Sequence, residues 1–449
     1  MTTIRSIGSR LEPLIDDWLI DHMHGVILRL HSPVLREVVL AFDRPWEGPI
    51  SFAPNVRRDG ECFRMWYRAG GDANQRLAYA ESADGISWER PSLGLVEFQG
   101  SRDNNILLDG AQAQGVSVFI DGNPAAVAEA RFKAIGIGPK IDGCETLRAF
   151  ASPDGLRWRM VADPLMVAPA DDRPWFDSQN LAFWNSHTGR YELYARGWVP
   201  PGVRWIRRSV SNDFRSWSEL EFIDAGDAPL EHLYENSTTP YFRAPHILLA
   251  FPKRFVPERT LRPDWATGLS DGVFMSSRDG LRWDRRFMEA FVRPGPDPDN
   301  WTERNMYVGP GLVQTGPTEL SLYVVEHYRH PTARIRRATL RVDGFVSASA
   351  GYGGGELLTH PISFAGDRLV INYATSAVGS VRVEIQEADG RPVDGFRLEE
   401  STEIFGDEIG RVVTWQRGAE VGALAGRPVR LRFALKDADL YALQFQSAS

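Results

Sequence analysis

The sequence predicts an all-β protein, a five-bladed β-propeller followed by a C-terminal β-sandwich. Three observations carry this expectation. The phrase Ser-x-Asp-Gly-x-x-Trp recurs as Ser82-Ala-Asp84-Gly85-Ile-Ser-Trp88, Ser152-Pro-Asp154-Gly155-Leu-Arg-Trp158 and Ser277-Arg-Asp279-Gly280-Leu-Arg-Trp283, with a variant at Ser211-Asn-Asp213-Phe214-Arg-Ser-Trp217. Successive copies start 59 to 70 residues apart, the mark of one supersecondary unit copied around or along an axis. Each interval holds short apolar runs bounded by Gly, Asp, Asn and Pro, and residues 45–350 show no helical period over three turns. Beyond Gly351-Tyr-Gly-Gly-Gly355 the phrase stops and period-2 alternation takes over.

Within the repeat, Asp-Gly marks a tight turn, because glycine tolerates positive φ and Asp can bond the turn backbone. Ser joins that network and Trp packs across the hairpin, so these aspartates are read as structural. Four strands per unit, repeated radially, make a propeller. A worn copy at Leu340-Arg-Val-Asp343-Gly344-Phe345 brings the count to five, with the propeller over residues 46–350. Residues 1–45 are expected to pack on or close the propeller, with Leu14-Ile-Asp-Asp-Trp-Leu-Ile either a sealing strand or a short helical turn. The glycine run reads as a linker. Residues 356–449 carry Leu369-Val-Ile-Asn-Tyr, Ser380-Val-Arg-Val-Glu-Ile, Val429-Arg-Leu-Arg-Phe and similar runs, which predict an antiparallel sandwich.

The chain has 449 residues with a formal net charge of −8 and no basic block, which argues against nucleic acid as a partner. Four of its 51 basic residues are lysine: Lys133, Lys140, Lys253 and Lys436. Cys62 and Cys144 lie at no metal-ligand spacing, so neither a disulfide framework nor a zinc site is expected, and no cofactor is implied. The N-terminus lacks the apolar core of a signal peptide and no run is long enough to span a bilayer, so the expectation is a cytoplasmic protein without a membrane partner. The sequence says little of oligomeric state.

Blade topology sorts the acids. Loops that lead into first strands and leave second strands share one face, and the Ser-x-Asp-Gly turns fall on the other. The mouth then receives Asp177 from Trp175-Phe-Asp177-Ser-Gln-Asn180, Glu235 from Tyr234-Glu235-Asn236-Ser, Glu303 from Trp301-Thr-Glu303-Arg304-Asn305, and Glu326 with His327 from Tyr323-Val-Val-Glu326-His327. Arg68, Arg196, Lys253 and Arg254 leave second strands toward the same place. Carboxylates interleaved with arginines suit glycosidic bond cleavage, which needs one protonated acid and one ionised carboxylate; like charges, burial and nearby Arg can set two pKa values apart. Asp177 is expected as base or nucleophile and Glu303 or Glu326 as acid. Arg254, Arg304 and His327 are expected to hold hydroxyls, with Arg196, Trp175, Asn180, Glu235 and Trp301 as further substrate contacts. Tryptophans in loops suit the apolar faces of sugars.

Tyr79-Ala-Glu-Ser-Ala-Asp-Gly-Ile-Ser-Trp88, Ser101-Arg-Asp-Asn-Asn-Ile106, Phe251-Pro-Lys-Arg-Phe255 and Asp343-Gly-Phe345 resemble uncharacterised bacterial proteins related to glycoside hydrolase family 32. That group is similar in architecture to the five-bladed furanosidase clan of families 32, 43, 62 and 68. The resemblance covers nearly the whole chain and implies a carbohydrate substrate, with furanosides slightly favoured. It carries over no catalytic residue. The first inner strand, Pro49-Ile-Ser-Phe-Ala-Pro-Asn55, lacks the family's Asp nucleophile, the second blade lacks its Arg-Asp-Pro segment, and Glu61-Cys62 sits in a first-blade hairpin. The phrase also resembles the sialidase Asp-box but is one residue short. Two other functions stay open: a glycoside phosphorylase, which needs a cationic pocket beside the acids, and a non-catalytic sugar-binding propeller.

Overall fold

The computed structural model describes residues 4–71, 74–171 and 173–447. The chain is all-β, and among the described residues its helices are five single 3-10 turns. It divides into two compact units, Pro33–Thr339 and a second formed by Met1–Ser32 with Leu340–Ser449.

Six sheets make up the unit from Pro33 to Thr339. The first is a meander of Phe52–Asp59, Cys62–Gly70, Gln75–Ser82 and Ile106–Asp109, each strand antiparallel to the next. Ser117–Ile120, Phe132–Ile137, Thr146–Ser152 and Arg159–Val167 repeat the pattern, and so do Leu181–Asn185, Arg190–Val199, Val203–Ser211 and Glu221–Phe222. The next stretch departs from the expected four-stranded unit. It forms two three-stranded sheets, one of Thr239–Tyr241, Ala244–Ala250 and Met275–Ser277, the other of His232–Leu233, Lys253–Val256 and Leu269–Gly272. The last sheet joins Tyr307–Val308, Val313–Gly316, Glu319–Glu326 and Arg334–Arg341 to a strand from far upstream, Val34–Ala41. The sealing strand is therefore Val34–Ala41. Leu14 instead lies in the core of the other unit, and Ile15 beside it is buried.

The repeated phrase folds as its chemistry demands. Ser82 Oγ accepts the Gly85 N–H at 2.8 Å, and Asp84 Oδ1 accepts the N–H groups of Ile86 and Ser87 at 2.7 Å. Ser152 with Asp154, Ser211 with Asp213, and Ser277 with Asp279 make the same bonds. Those N–H groups hold the Asp213 carboxyl down at about 2, so this aspartate is a fixed acceptor and no proton donor. Each turn also reaches a neighbouring sheet. Trp66 Nε1 donates to Gly155 O at 2.7 Å, the Tyr194 hydroxyl to Gly280 O at 2.9 Å, and the Tyr323 hydroxyl to Gly85 O at 2.7 Å. Where Phe214 replaces glycine, the Lys133 ammonium lies 5.3 Å from its ring centre instead. Ser237 Oγ and Ser270 Oγ donate to Val308 O and Asn305 O at 2.5 and 3.0 Å, joining the fourth stretch to the last sheet.

In the second unit, Arg5–Gly8, Glu12–Pro13, Ile20–His24 and Val26–Leu30 join strands from the other end of the chain in one connected ten-stranded sheet. This corrects part of the placement of residues 1–45: residues 5–30 belong here, whereas residues 33–45 lie in the repeat unit, where Val34–Ala41 pairs with Arg334–Arg341. The runs at 369 and 380 merge into one strand, Arg368–Glu387, and those at 429 and 440 into Val429–Gln446, paired with each other along their length. The glycine run is not a linker, because Val346–Ala350 and Gly355–Thr359 on either side are strands of this same sheet. Asp343 makes no Ser-x-Asp-Gly turn either; it is buried and accepts Asn372 Nδ2 at 2.9 Å.

A Cβ added at Gly155 would lie 2.9 Å from Trp66 with φ at +76°, whereas Gly60 has φ +62° and open space around it. Gly155→Ala should therefore cost about 2 to 4 kcal/mol, left-handed strain plus overpacking. Gly60→Ala should cost about 1 to 2 kcal/mol, the strain alone. Urea unfolding of both variants measures the difference, and equal losses would show that the Trp66 contact contributes nothing.

Candidate active site

Loops at the first-strand starts and second-strand ends of several sheets surround one cavity of about 80 Å³. At roughly 10–15 Å³ per water by this measure, it holds about six waters, the space of one sugar ring. Phe52, Tyr234, Tyr307 and Tyr328 give it aromatic walls, and Asp177, Glu235, Lys253, Arg304 and Arg68 supply charge. The mouth inferred from blade topology is where these groups meet.

The backbone at this mouth is unusual. Ala53, Ser237, Arg304, Met306, His327 and Arg329 all have φ between +44° and +69°, a region side-chain-bearing residues rarely enter. Ala53 and Arg304 line the cavity itself. Held strain of this kind concentrates at functional sites, because the surrounding structure must over-determine it.

Two carboxylates of different character face the cavity. Asp177 precedes Leu181–Asn185 and its side chain is 65% exposed, with Arg196 Nη2 3.3 Å away. Asn180 shapes this loop by donating to Phe176 O and Ser178 O at 3.0 Å, while Arg196 also donates to Pro174 O. Glu235 is 2% exposed. It accepts the Gln179 N–H at 2.9 Å and lies 3.9 Å from Lys253 Nζ. Burial raises its pKa above the ordinary range, against the opposing pull of Lys253, and the charge of Asp177 adds to the rise. Burial brings the Lys253 ammonium down to about 8, with Glu235 opposing and Arg304 and Arg204 adding to the fall. Low polarity thus drives this acid and this amine toward their neutral forms together.

Cations converge on one ring. Lys253 Nζ and the guanidinium carbons of Arg204, Arg196 and Arg304 lie 4.7, 4.8, 5.4 and 5.6 Å from the Tyr234 centroid. Gln179 is fixed beneath them, its Oε1 accepting the Tyr307 hydroxyl.

The other expected site residues are placed differently. Glu326 does not face the cavity; it is 2% exposed and sealed by Arg334 Nε at 2.8 Å and Arg336 Nε at 2.9 Å. Glu303 is taken up by Arg304 and Arg329 at 3.0 and 3.4 Å and does not line the cavity. Arg254 points elsewhere, to Asp271 at 2.6 Å and Glu231 at 3.2 Å. His327 is buried between Asp297 and Thr332, at 2.9 and 2.8 Å. Asp297, Asp299 and His327 bring three ligand atoms together, but Arg334 already lies 3.1 Å from Asp297, a charge that opposes a cation there. Trp175 is buried under the Arg207 guanidinium with its Nε1 on Asp171, and Trp301 Nε1 donates to Gly295 O. The aromatics that line the cavity are thus tyrosine and phenylalanine rather than the loop tryptophans. Arg304 lines the cavity, Arg196 backs it, and Glu235, expected as a contact, supplies its buried acid.

No protein-family model matches the chain, and no curated protein sequence does. Solved structures do resemble it. A family 32 β-fructofuranosidase of Bombyx mori aligns with a TM-score of 0.46 at 11% identity, over 92% of this chain and 95% of that one. An N-acetylgalactosamine deacetylase from F. plautii, in complex with blood group B trisaccharide, aligns with a TM-score of 0.45 at 14% identity, over 71% and 96%. A third belongs to glycoside hydrolase family 130, described as mannoside phosphorylases that include hydrolases of β-1,2-mannosidic linkages in Candida mannan. It aligns with a TM-score of 0.42 at 15% identity, over 74% and 96%. TM-scores below 0.5 assign neither substrate nor reaction to this chain.

The sealed and the open acid should respond unequally to neutralisation. Glu326→Gln leaves Arg336 without its acid and Arg334 with Asp297 alone, and should cost about 2 to 4 kcal/mol. Asp177→Asn removes an exposed charge and should cost less than about 1 kcal/mol. Chemical denaturation of both variants checks this; a cheap Glu326→Gln would return that residue to the list of candidate acids.

Proposed function

We propose that the protein cleaves a glycosidic bond, with Glu235 as proton donor and Asp177 as base or nucleophile. The observation that carries this reading is the contrast between two carboxylates at one cavity, one buried with a raised pKa and one exposed beside Arg196. Cleavage needs this division. A protonated acid gives its proton to the departing glycosidic oxygen while an ionised carboxylate attacks the anomeric carbon or activates water against it. Gln179, through its backbone N–H, fixes the Glu235 carboxyl, and Arg196 anchors Asp177. A cavity sized for one ring favours removal of a terminal sugar, with Tyr234, Tyr307 and Phe52 as its apolar walls.

On this reading the six sheets form five blades, the two three-stranded sheets counting as one, and the ten-stranded sheet is the accessory β-sandwich. Furanosides remain slightly favoured as substrates by the resemblance in sequence alone. A cytoplasmic location belongs to the same proposal and agrees with the two free cysteines, Cys62 and Cys144. No helix among the described residues is long and apolar enough to cross a membrane.

A panel of nitrophenyl furanosides and pyranosides, with and without phosphate, tests the reaction and separates hydrolysis from phosphorolysis. Asp177→Asn and Glu235→Gln should each lower kcat/KM by about 10² to 10⁴ on the best substrate, the range of a lost acid or base. The alkaline limb of the wild-type pH profile should lie above the ordinary carboxylate range, because Glu235 must stay protonated, and should vanish in Glu235→Gln. Full activity in either variant would overturn the assignment.

A further inference from the structure

We propose that this cavity contains an oxyanion subsite beside its carboxylate pair, built on Lys253, Arg304 and the side-chain amide of Gln179, and that the glycoside reaction takes an anionic component there. The inference rests on the reading of Asp177 and Glu235 as the cleaving pair, and names the chemistry of what they act on. The anion is a carboxylate on the sugar, as in a uronic acid, or free inorganic phosphate. Both present oxygen acceptors of the same kind.

Lys253 is the central observation. Its side chain is 4% exposed and lines the cavity. Its Nζ makes no side-chain hydrogen bond among the described residues; the nearest acid oxygen, on Glu235, is 3.9 Å away, beyond hydrogen-bonding range. An ammonium carries three donors, and burying them unmet is costly. Tyr234 and Tyr307, with ring centres 4.7 and 5.4 Å from Nζ, hold the group in place without accepting its protons. Gln179 adds a second unmet donor. Its Oε1 is occupied by the Tyr307 hydroxyl, which leaves the NH₂ as the free end, and Nε2 is buried without a partner. Gln179 lines the same cavity.

Charge points the same way. Lys253, Arg304 and Arg68 line the cavity against Asp177 and Glu235; Glu303 pairs with Arg304 at 3.0 Å from outside the lining, and burial favours the neutral form of Glu235, the acid nearest Lys253. Arg204, directly behind at the Tyr234 ring, has no ion pair among the described residues, and the like charges of Arg304 and Arg204 both weigh on Lys253. An entering oxyanion relieves that repulsion and satisfies the Lys253 and Gln179 donors. A neutral sugar hydroxyl satisfies the donors but not the charge. Specificity for an anion follows, since leaving a buried cation uncompensated penalises the neutral ligand.

Calorimetric titration of the full chain at low salt tests this with sodium phosphate, glucuronate, galacturonate and, as neutral controls, glucose and galactose. At least one anion should bind ten-fold or more tightly than the neutral sugars. Lys253→Met should remove that preference, and Lys253→Arg should keep most of it. Preference for phosphate alone identifies a free co-substrate, and preference for a uronate alone identifies a charged sugar. Wild-type protein that binds neither anion better than the neutral sugars overturns the proposal without recourse to any variant. So does a preference unchanged in folded Lys253→Met. The cleavage reading is tested separately, because Asp177→Asn with Glu235→Gln should abolish turnover yet keep anion binding. Anion binding without turnover on any glycoside leaves the subsite standing and removes the cleavage reading. Turnover of neutral glycosides without anion preference does the reverse.

Discussion

One local bond pattern organises the repeat unit. A serine and an aspartate clamp a turn, the clamp holds a left-handed glycine, and the buried carbonyl of that glycine receives an aromatic donor from the neighbouring sheet. The turn is thus both the end of one hairpin and the socket for the next sheet. Van der Waals packing alone could not hold neighbouring sheets in such fixed register, because apolar contact is non-directional. A hydrogen bond from Trp66, Tyr194 or Tyr323 has a direction, and it ties one sheet to the turn of its neighbour. The cavity at the opposite strand ends inherits its geometry from these sockets.

The reading of this fold from sequence succeeded where the chemistry is local. Ser82 and Asp84 satisfy groups within a few residues of themselves, so the phrase alone specifies the turn. It also directed attention away from the turn aspartates and toward the loops that carry Asp177 and Glu235. The same logic could not tell an open acid from a sealed one. Glu326 is closed off by Arg334 and Arg336, whose strand lies beside its own in the same sheet, and it is the register of that pairing, not the residue types, that sets both guanidinium groups on it. Lys253 was visible as a rare lysine leaving a second strand, but its lack of a close partner depends on four separate loops. The N-terminal segment was misplaced for a related reason. Short strands such as Arg5–Gly8 carry no signal of which distant strand they pair with.

The site holds opposed demands in a small volume. On the proposed function, cleavage asks for a neutral acid beside an ionised one, and the proposed anion subsite asks for positive charge. In Glu235 and Lys253 these demands pull against each other, because burial disfavours charge on each while their mutual attraction favours it. A balance set this finely responds to whatever enters the cavity, since displacing water changes the local polarity for both groups at once. Tyr234 is the common neighbour of the four cations, so its ring sets their spacing as well as the shape of the wall.

Closure by a strand from the front of the chain has a consequence for biosynthesis. Val34–Ala41 leaves the ribosome early, yet its partner Arg334–Arg341 emerges about 290 residues later, some 15 to 60 seconds at ordinary translation rates. During that interval it is an orphan edge with Val34 and Val38 facing solvent. Arg36 and Glu37 stand between those valines, the charged placement that discourages pairing with other nascent chains. The last sheet of the repeat unit is therefore complete only once Arg334–Arg341 has been made.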